Sequence, residues 1–566
     1  MKYHQVIVVG GGLAGLRAAI EAATAGHDVA VLTQVHPVRS HSVAAQGGIN
    51  GALANMPDGR DDTPEKHAFD TVKGSDYLAD QDAVEMMTAL APKLIRQMEH
   101  WGCPFSRTDE GTISQRPFGG GGFPRTCFAS DKTGHALLHT MYQHIVKHGI
   151  RVYEEVVAIS LVVEDEVCRG VVAMDLQSGE IIPMASDAVI FATGGAGQVY
   201  RPTTNSLIVT GAGHAMAYKA GVALKDMEFV QFHPTSLHGT NILMTEGARG
   251  EGGHLKNNLG ERFMEKYAPS AMELGPRDIV ARSIQTEVNE GRGFESQYVH
   301  LDLRHLGSDK ILERLPGIRD IAINFAGVDP IVEPLPVQPA QHYTMGGIDC
   351  NADGGTAVAG FYAAGEVACV SVHGANRLGG NSLLDTIVFG YLSGKNAGEY
   401  VAGKEGNNKE HSAVAAAFEQ AVKDIEELRA SDGPMDPSDI REEMQDVMFR
   451  DVGMFREEGP MRSAVGKIEE LKDRFSSIYL RHRGKKFNLD LYRTYELGGM
   501  LEIAHVIALG ALERQESRGS HYRLDFQDRD DENWLKHTIA YYTPDGPRLG
   551  SKEVAIGKWQ PEARRY

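Results

Sequence analysis

Gly10-Gly11-Gly12-Leu13-Ala14-Gly15 has the spacing G-x-G-x-x-G, in which residues without side chains let the backbone approach a pyrophosphate. The pattern is weak on its own. Here an apolar run at 6–9 reads as a strand before it, an Ala-rich run at 13–25 as a helix, and 29–32 as a second strand. That βαβ context sets a helix N-terminus, the positive end of its dipole, against the diphosphate of a dinucleotide. A ribose-binding Asp or Glu is expected about 20 residues after the glycines. Thr33-Gln34 stand there instead. A hydroxyl and an amide still bond a ribose, but the exchange weakens an NAD reading.

Two later turns point to FAD. Ala192-Thr193-Gly194-Gly195 follows an apolar strand and resembles the second glycine turn of FAD-binding folds. Gly360-Phe361-Tyr362-Ala363-Ala364-Gly365-Glu366 looks like the late strand that returns to the flavin, with Glu366 on its ribityl chain or ribose. Asn381-Ser382-Leu383 then opens a helix, whose N-terminus would stabilise negative charge on the N1–C2=O edge of a reduced flavin.

These turns need a scaffold. At 566 residues the chain exceeds one core and implies roughly two to four domains. Helical spacing occupies 82–100 and 134–148, and short strands are expected at 156–163, 170–175, 181–184 and 188–192. Residues 235–340 read as polar loops, two Pro-rich stretches and a helix at 277–290. This looks like an insertion, because strand-and-glycine chemistry resumes at 360–380. A charged linker covers 403–409, residues 411–515 are mostly helical in pattern, and the tail is polar and loop-rich. The expected fold class is α/β. A Rossmann-like FAD-binding domain (1–232 and 346–405) is split by an α+β capping domain (233–345). A helical domain (411–520) and a C-terminal segment (521–566) follow.

Composition narrows the chemistry. Apolar residues make up 42 %, and no run of about 18 suggests a bilayer span. The opening strand leaves no expected signal peptide, so the chain reads as cytosolic or as peripheral on the cytosolic side of a membrane. A formal net charge of −19 argues against a nucleic-acid partner, which needs clustered Lys and Arg. It also means that an anionic substrate must be held by a local group of cations. Cys103, Cys127, Cys168, Cys350 and Cys369 are never within C-x-x-C distance. That spacing suits no disulfide framework, zinc site or iron–sulfur cradle, and no metal is expected.

A family likeness runs from residue 3 to about 535. Arg39-Ser40-His41-Ser42-Val43-Ala44-Ala45-Gln46-Gly47-Gly48 resembles the flavinylation segment of succinate dehydrogenase and fumarate reductase flavoprotein subunits. So do Gln115-Arg116-Pro117-Phe118-Gly119-Gly120, Gln231-Phe232-His233-Pro234-Thr235 and Thr245-Glu246-Gly247-Ala248-Arg249-Gly250, in the family's order. Arg277-Asp278-Ile279-Val280-Ala281-Arg282, His342-Tyr343-Thr344-Met345-Gly346-Gly347 and His373-Gly374-Ala375-Asn376-Arg377-Leu378-Gly379-Gly380-Asn381-Ser382 complete the set. Thr33 also fits, since this family tends to carry a hydroxyl there. Ala212 departs from the pattern, standing where many relatives place a cofactor-contacting Asp. Gly119-Gly120-Gly121-Gly122 lacks the amide that commonly follows Phe-Gly-Gly, which would loosen a loop over the substrate. The last 30 residues match less well.

The resemblance implies roles. His41 would bind the flavin covalently at its 8α-methyl group, within a pocket for FAD formed by Gly10, Gly12, Ala14, Gly15, Thr33, Gln34, Arg39, Ser40, Ser42, Gln46, Gly47, Gly48, Thr193, Gly194, Glu366, Asn381, Ser382 and Leu383. Arg377, His342, His233, Thr245 and Phe118 would hold a dicarboxylate, succinate or fumarate. Arg277 would transfer the proton, replenished through Glu246 and Arg249. An iron–sulfur subunit and membrane-anchor subunits would carry electrons to or from a quinone and hold the chain at the cytoplasmic side of the cell membrane. L-Aspartate oxidase, the nearest rival, typically lacks the Arg-Ser-His and Pro-Phe-Gly-Gly elements present here. A non-catalytic flavoprotein scaffold is opposed by the intact Arg277, Arg377, His342 and Glu246.

Overall fold

The computed structural model describes residues 1–564, so the last two positions of the expected C-terminal segment lie outside the described residues. Its central sheet has the order Arg151–Glu154, Val29–Thr33, Lys2–Val9, Ile181–Phe191, Val167–Asp175, Val156–Glu164, with Phe361–Ala363 also on Ile181–Phe191. The strands nearest the glycine fingerprint are parallel. Parallel pairing needs a crossover, which the helix Leu13–Thr24 supplies. The expected strands at 181–184 and 188–192 are one continuous strand. On the sheet, Leu13–Thr24 packs against the helix Asn381–Gly403. Glycine makes that approach possible, because a Cβ at Gly394 would lie 2.3 Å from the Ala18 carbonyl oxygen.

The segment expected to be loops and one helix contains a four-stranded antiparallel sheet. Its order is Val230–Leu237, Leu335–Thr344, Val299–Asp302, His254–Lys256. Pro234, Pro336 and Pro339 obscured two of these strands, because proline normally argues against a paired strand. The ladder accommodates Pro234 with a register shift between His233 and Ser236, so a bulge presents His233. Leu237, Val280, Ile284, Leu301 and Val337 form a hydrophobic core of their own here, beside the helix Arg277–Asn289.

Beyond it, Ser412–Ala430, Pro437–Asp451, Glu458–Phe475 and Leu489–Glu513 match the helical pattern. Leu489–Glu513 is long and apolar enough to cross a membrane by length and composition, which the residue runs alone did not suggest. In this fold 67 % of its most apolar stretch is buried. The expected linker at 403–409 is pinned by Lys404, whose Nζ donates to Asp187 Oδ1 (3.1 Å), and by Asn408, whose Nδ2 donates to Ser186 O (2.6 Å) and Cys168 O (3.2 Å). The polar tail also holds structure: the hairpin Lys536–Tyr541 and Arg548–Glu553 completes a five-stranded sheet. His537 clamps it to Asp226 (2.7 Å) and Asp80 (3.1 Å). Each of the five cysteines is a buried free thiol.

Candidate active site

An elongated cavity starts at the glycine fingerprint and ends among arginines and histidines. At that end Arg277, the first residue of its helix, donates from Nε to Glu246 Oε2 (2.7 Å) and from Nη1 to Gln231 Oε1 (3.1 Å). Glu246 opens the short helix Glu246–Gly250, capped by Thr245, whose Oγ1 accepts from Gly247 N (3.1 Å). The other Glu246 oxygen accepts from Gly119 N (2.6 Å). Its carboxyl sits between two glycines, since a Cβ at Gly119 or Gly379 would come within 2.6 and 2.7 Å of it. Burial works to raise the Glu246 carboxyl, and Arg277 and Arg249 outweigh it, holding it below its ordinary value. Arg249 Nη2 lies 4.0 Å from Glu246 Oε2 and does not line the cavity.

Arg377 enters the same space from the other side. Its Nη2 donates to the same Gln231 Oε1 (3.1 Å), and its guanidinium lies over the Tyr343 ring at 4.4 Å. Among the described residues no carboxylate pairs with it. Burial, then repulsion from Arg277, pulls its pKa down to about 9. Gln231 also donates from Nε2 to Arg377 O (2.7 Å) and to Asn376 Oδ1 (2.9 Å). One fully buried amide thus spaces two like charges. In the sequence it stands only within a motif, and no local signal marks an amide whose partners lie 46 and 146 positions away.

His233 and His342 face each other with ring centroids 4.9 Å apart. Burial, then Arg277, holds both well below their ordinary pKa, so each is neutral at pH 7. Thr235 N donates to His233 Nδ1 (3.2 Å), and Nε2 is buried with no partner among the described residues. His342 Nδ1 bonds Thr204 Oγ1 (2.7 Å). Each ring therefore keeps Nε2 for a ligand. Phe118 forms part of the wall, its ring against Gly47, where a Cβ would come within 2.7 Å. The glycine loop after it is tied down, not loosened: Gly120 N donates to Leu274 O (3.1 Å) and Gly122 N to Asp70 Oδ2 (2.8 Å).

Toward the fingerprint, Gly10 has φ 120°, and a Cβ there would lie 2.1 Å from Ala192 O. Only glycine permits both. Gly15 does not line the cavity, because it is spent on packing, with a Cβ 2.0 Å from Gly10 O. Gly12, Ala14, Thr33, Gln34, Ser40, His41, Ser42, Gln46, Gly47, Gly48, Thr193, Gly194, Glu366, Ser382 and Leu383 all line the cavity. Besides Gly15, two expected cofactor residues do not. Arg39 is exposed and ends the turn Pro37–Arg39 that delivers Ser40 to Ser42. Asn381 turns inward, its amide bonding Asn50, His67 and Thr71 and fixing the start of the long helix. Burial, aided by the Asp385 charge, raises Glu366 to about 7 against the pull of Thr344 N and Arg377.

The family model described as an FAD binding domain matches residues 5–383, and one described as the fumarate reductase flavoprotein C-terminus matches 441–566. A fumarate reductase flavoprotein subunit of Mycobacterium tuberculosis is 45 % identical over 100 % of this chain and 99 % of its own length. The chain belongs to the succinate dehydrogenase and fumarate reductase flavoprotein family. A succinate dehydrogenase flavoprotein subunit of Rickettsia conorii is 46 % identical over 94 % of this chain and 92 % of its own. A solved E. coli quinol fumarate reductase chain superposes with a TM-score of 0.95 at 42 % identity, covering 100 % of this chain and 99 % of that one. Like its family, the chain is an FAD-binding oxidoreductase. The second match extends through residue 566, past the position near 535 where the motif likeness stops.

The residues present fit FAD. Ser40 Oγ, Gln46 Oε1 and Thr193 Oγ1 are buried without partners among the described residues, which is costly unless a ligand supplies them. The helix Leu13–Thr24 starts at the cavity wall. Ala212 offers the cavity only a methyl group. Two residues before it, Thr210 Oγ1 donates to the buried Glu496 (2.8 Å).

Proposed function

We propose that this chain is the FAD-containing catalytic subunit of a succinate:quinone oxidoreductase, interconverting succinate and fumarate. The reading rests on Arg277 and Arg377 sharing one Gln231 oxygen while, among the described residues, a carboxylate pairs only with Arg277 of the two. Arg377 supplies a planar fork for one substrate carboxylate. His342, His233 and Thr245 donate around the carboxylates, and Phe118 packs over the substrate. Bound FAD, gripped by the glycine fingerprint and Glu366, supplies hydride exchange at N5. Arg277 gives or takes the proton at the neighbouring carbon. Glu246 and Arg249 replace that proton as it moves, so no neutral arginine accumulates. The unit 233–345 serves as a cap whose closure excludes water.

His41 is the covalent anchor in this reading. It lines the cavity, Ser206 N meets its Nδ1 (3.4 Å) and Asn205 Nδ2 its Nε2 (3.2 Å). Burial holds the imidazole at about 4, which keeps it neutral and nucleophilic at pH 7. Electrons pass through a separate iron–sulfur subunit, which docks near His41 and sits on membrane-anchor subunits at the cytoplasmic side of the membrane.

The test uses the complex purified from membranes. Succinate oxidation with an artificial acceptor and fumarate reduction with an artificial donor should both proceed, and acid-precipitated chain should stay yellow. His41→Ser should release its flavin into acid, yet still bind FAD when native. It should lose succinate oxidation more severely than fumarate reduction, because a non-covalent flavin has the lower potential. Aspartate oxidation by oxygen, with neither dicarboxylate activity, would sink the reading in favour of an oxidase.

A further inference from the structure

The proton-transfer arginine is followed by an acid that the proposed chemistry does not use. Asp278 is wholly buried. Its Oδ1 accepts from Asn376 Nδ2 (3.0 Å), and its Oδ2 from Arg282 Nη2 (3.2 Å) and Arg564 Nη2 (2.8 Å). Arg282 sits one turn along the same helix, so its bond braces the helix without placing it. Asn376 and Arg564 come from elsewhere. Asn376 precedes Arg377, whereas Arg564 lies near the end of the chain.

Arg564 has a second partner on the side of the central sheet, Asp76 Oδ2 at 3.1 Å. Asp76 holds φ 55° and also receives Gly519 N (2.8 Å) and Arg529 Nη1 (2.8 Å), so it is itself firmly set. The tail reaches this point under guidance. Ala555 N bonds Asp80 Oδ1 (2.7 Å), and Gly557 N and Trp559 N both bond Gln81 Oε1 (3.0 Å each). Arg529 Nη1 holds Glu562 O (2.9 Å). Residues 555–564 therefore form a strap anchored on the FAD-binding side, and its arginine ends on the first turn of the helix that carries Arg277. Burial opposes the Asp278 charge, and Arg564, then Arg282, overcomes it.

We propose that Arg564 is a positioning residue for the reaction: through Asp278 it fixes the first turn of Arg277–Asn289 against Asp76, and so sets Arg277 at the substrate. A charge-assisted pair in a buried site resists displacement far better than a surface pair. The inference rests on the proposed role of Arg277, and its test is arranged to separate the two.

In the purified complex, Arg564→Ala should lower kcat for succinate by about tenfold, as expected for a small misplacement of a catalytic group. KM should change by less than about threefold, since Arg377 and the histidines stay in place. Flavin content should be unchanged, and amide hydrogen exchange over 279–283 should accelerate. Arg564→Lys, keeping the charge, should recover most of the loss. On an Asp278→Asn background, Arg564→Ala should cost little more, because the pair acts as a unit. Should Arg564→Ala precipitate, Arg564→Gln carries the same expectations. A kcat within about twofold of wild type would overturn the inference, as would a full additional loss on the Asp278→Asn background. Normal turnover in Arg277→Ala would remove the proton-transfer reading, and with it the claim that the strap acts by setting Arg277, whereas a kcat near wild type in Arg564→Ala beside a large loss in Arg277→Ala would overturn the strap alone.

Discussion

Arg277→Ala is expected to lower turnover in both directions by roughly a thousandfold, the scale of a positioned acid–base group. Binding should survive in weakened form, with malonate still perturbing the flavin spectrum. The reason is geometric. Arg277 is held by Glu246 and Gln231, so its removal takes away the proton route while Arg377, His233 and His342 keep their own supports. Near-normal turnover would mean that another group handles the proton. The variant also leaves Glu246 buried without its main counter-charge, so a fall in melting temperature should accompany the loss.

Arg377→Ala should fail differently. It deletes a buried fork that no protein carboxylate pairs with among the described residues, so a ligand is left to complete it. Truncating one partner of such a pair costs about 3 kcal/mol, or roughly a hundredfold in succinate KM and in the malonate dissociation constant. Arg377→Lys should recover little, since a point charge replaces a planar fork. Malonate affinity within about threefold of wild type would show that Arg377 is not the clamp.

What could be read from the residues followed from how local each constraint is. The fingerprint was legible because its strand, turn and helix lie within a single run, and Gly10 needs a backbone conformation that only glycine adopts freely. The histidines and arginines were legible only through family order. His233 and His342 meet across 109 positions, and nothing in either neighbourhood states that they face one cavity. Gln231 and Asp278 stayed invisible as agents for the same reason. Arg39 and Asn381 belong to the right motifs but support the walls of the site. The second sheet was hidden by its prolines, and the tail hairpin by its polarity, since strand patterns depend on which face is buried.

Gln231 has one further consequence. Glu246 answers the charge of Arg277, but a carbonyl oxygen of Gln231 cannot neutralise Arg377, so the unliganded pocket carries excess positive charge while the molecule as a whole is acidic. Any small dianion relieves that strain, whether or not it can react. Dicarboxylates, and to a lesser degree sulfate and phosphate, should therefore act as conformational ballast, raising the unfolding temperature with the logarithm of their concentration. For the same reason, phosphate or sulfate buffers compete with substrate, and affinities measured in them understate what the site achieves in an inert buffer such as a zwitterion.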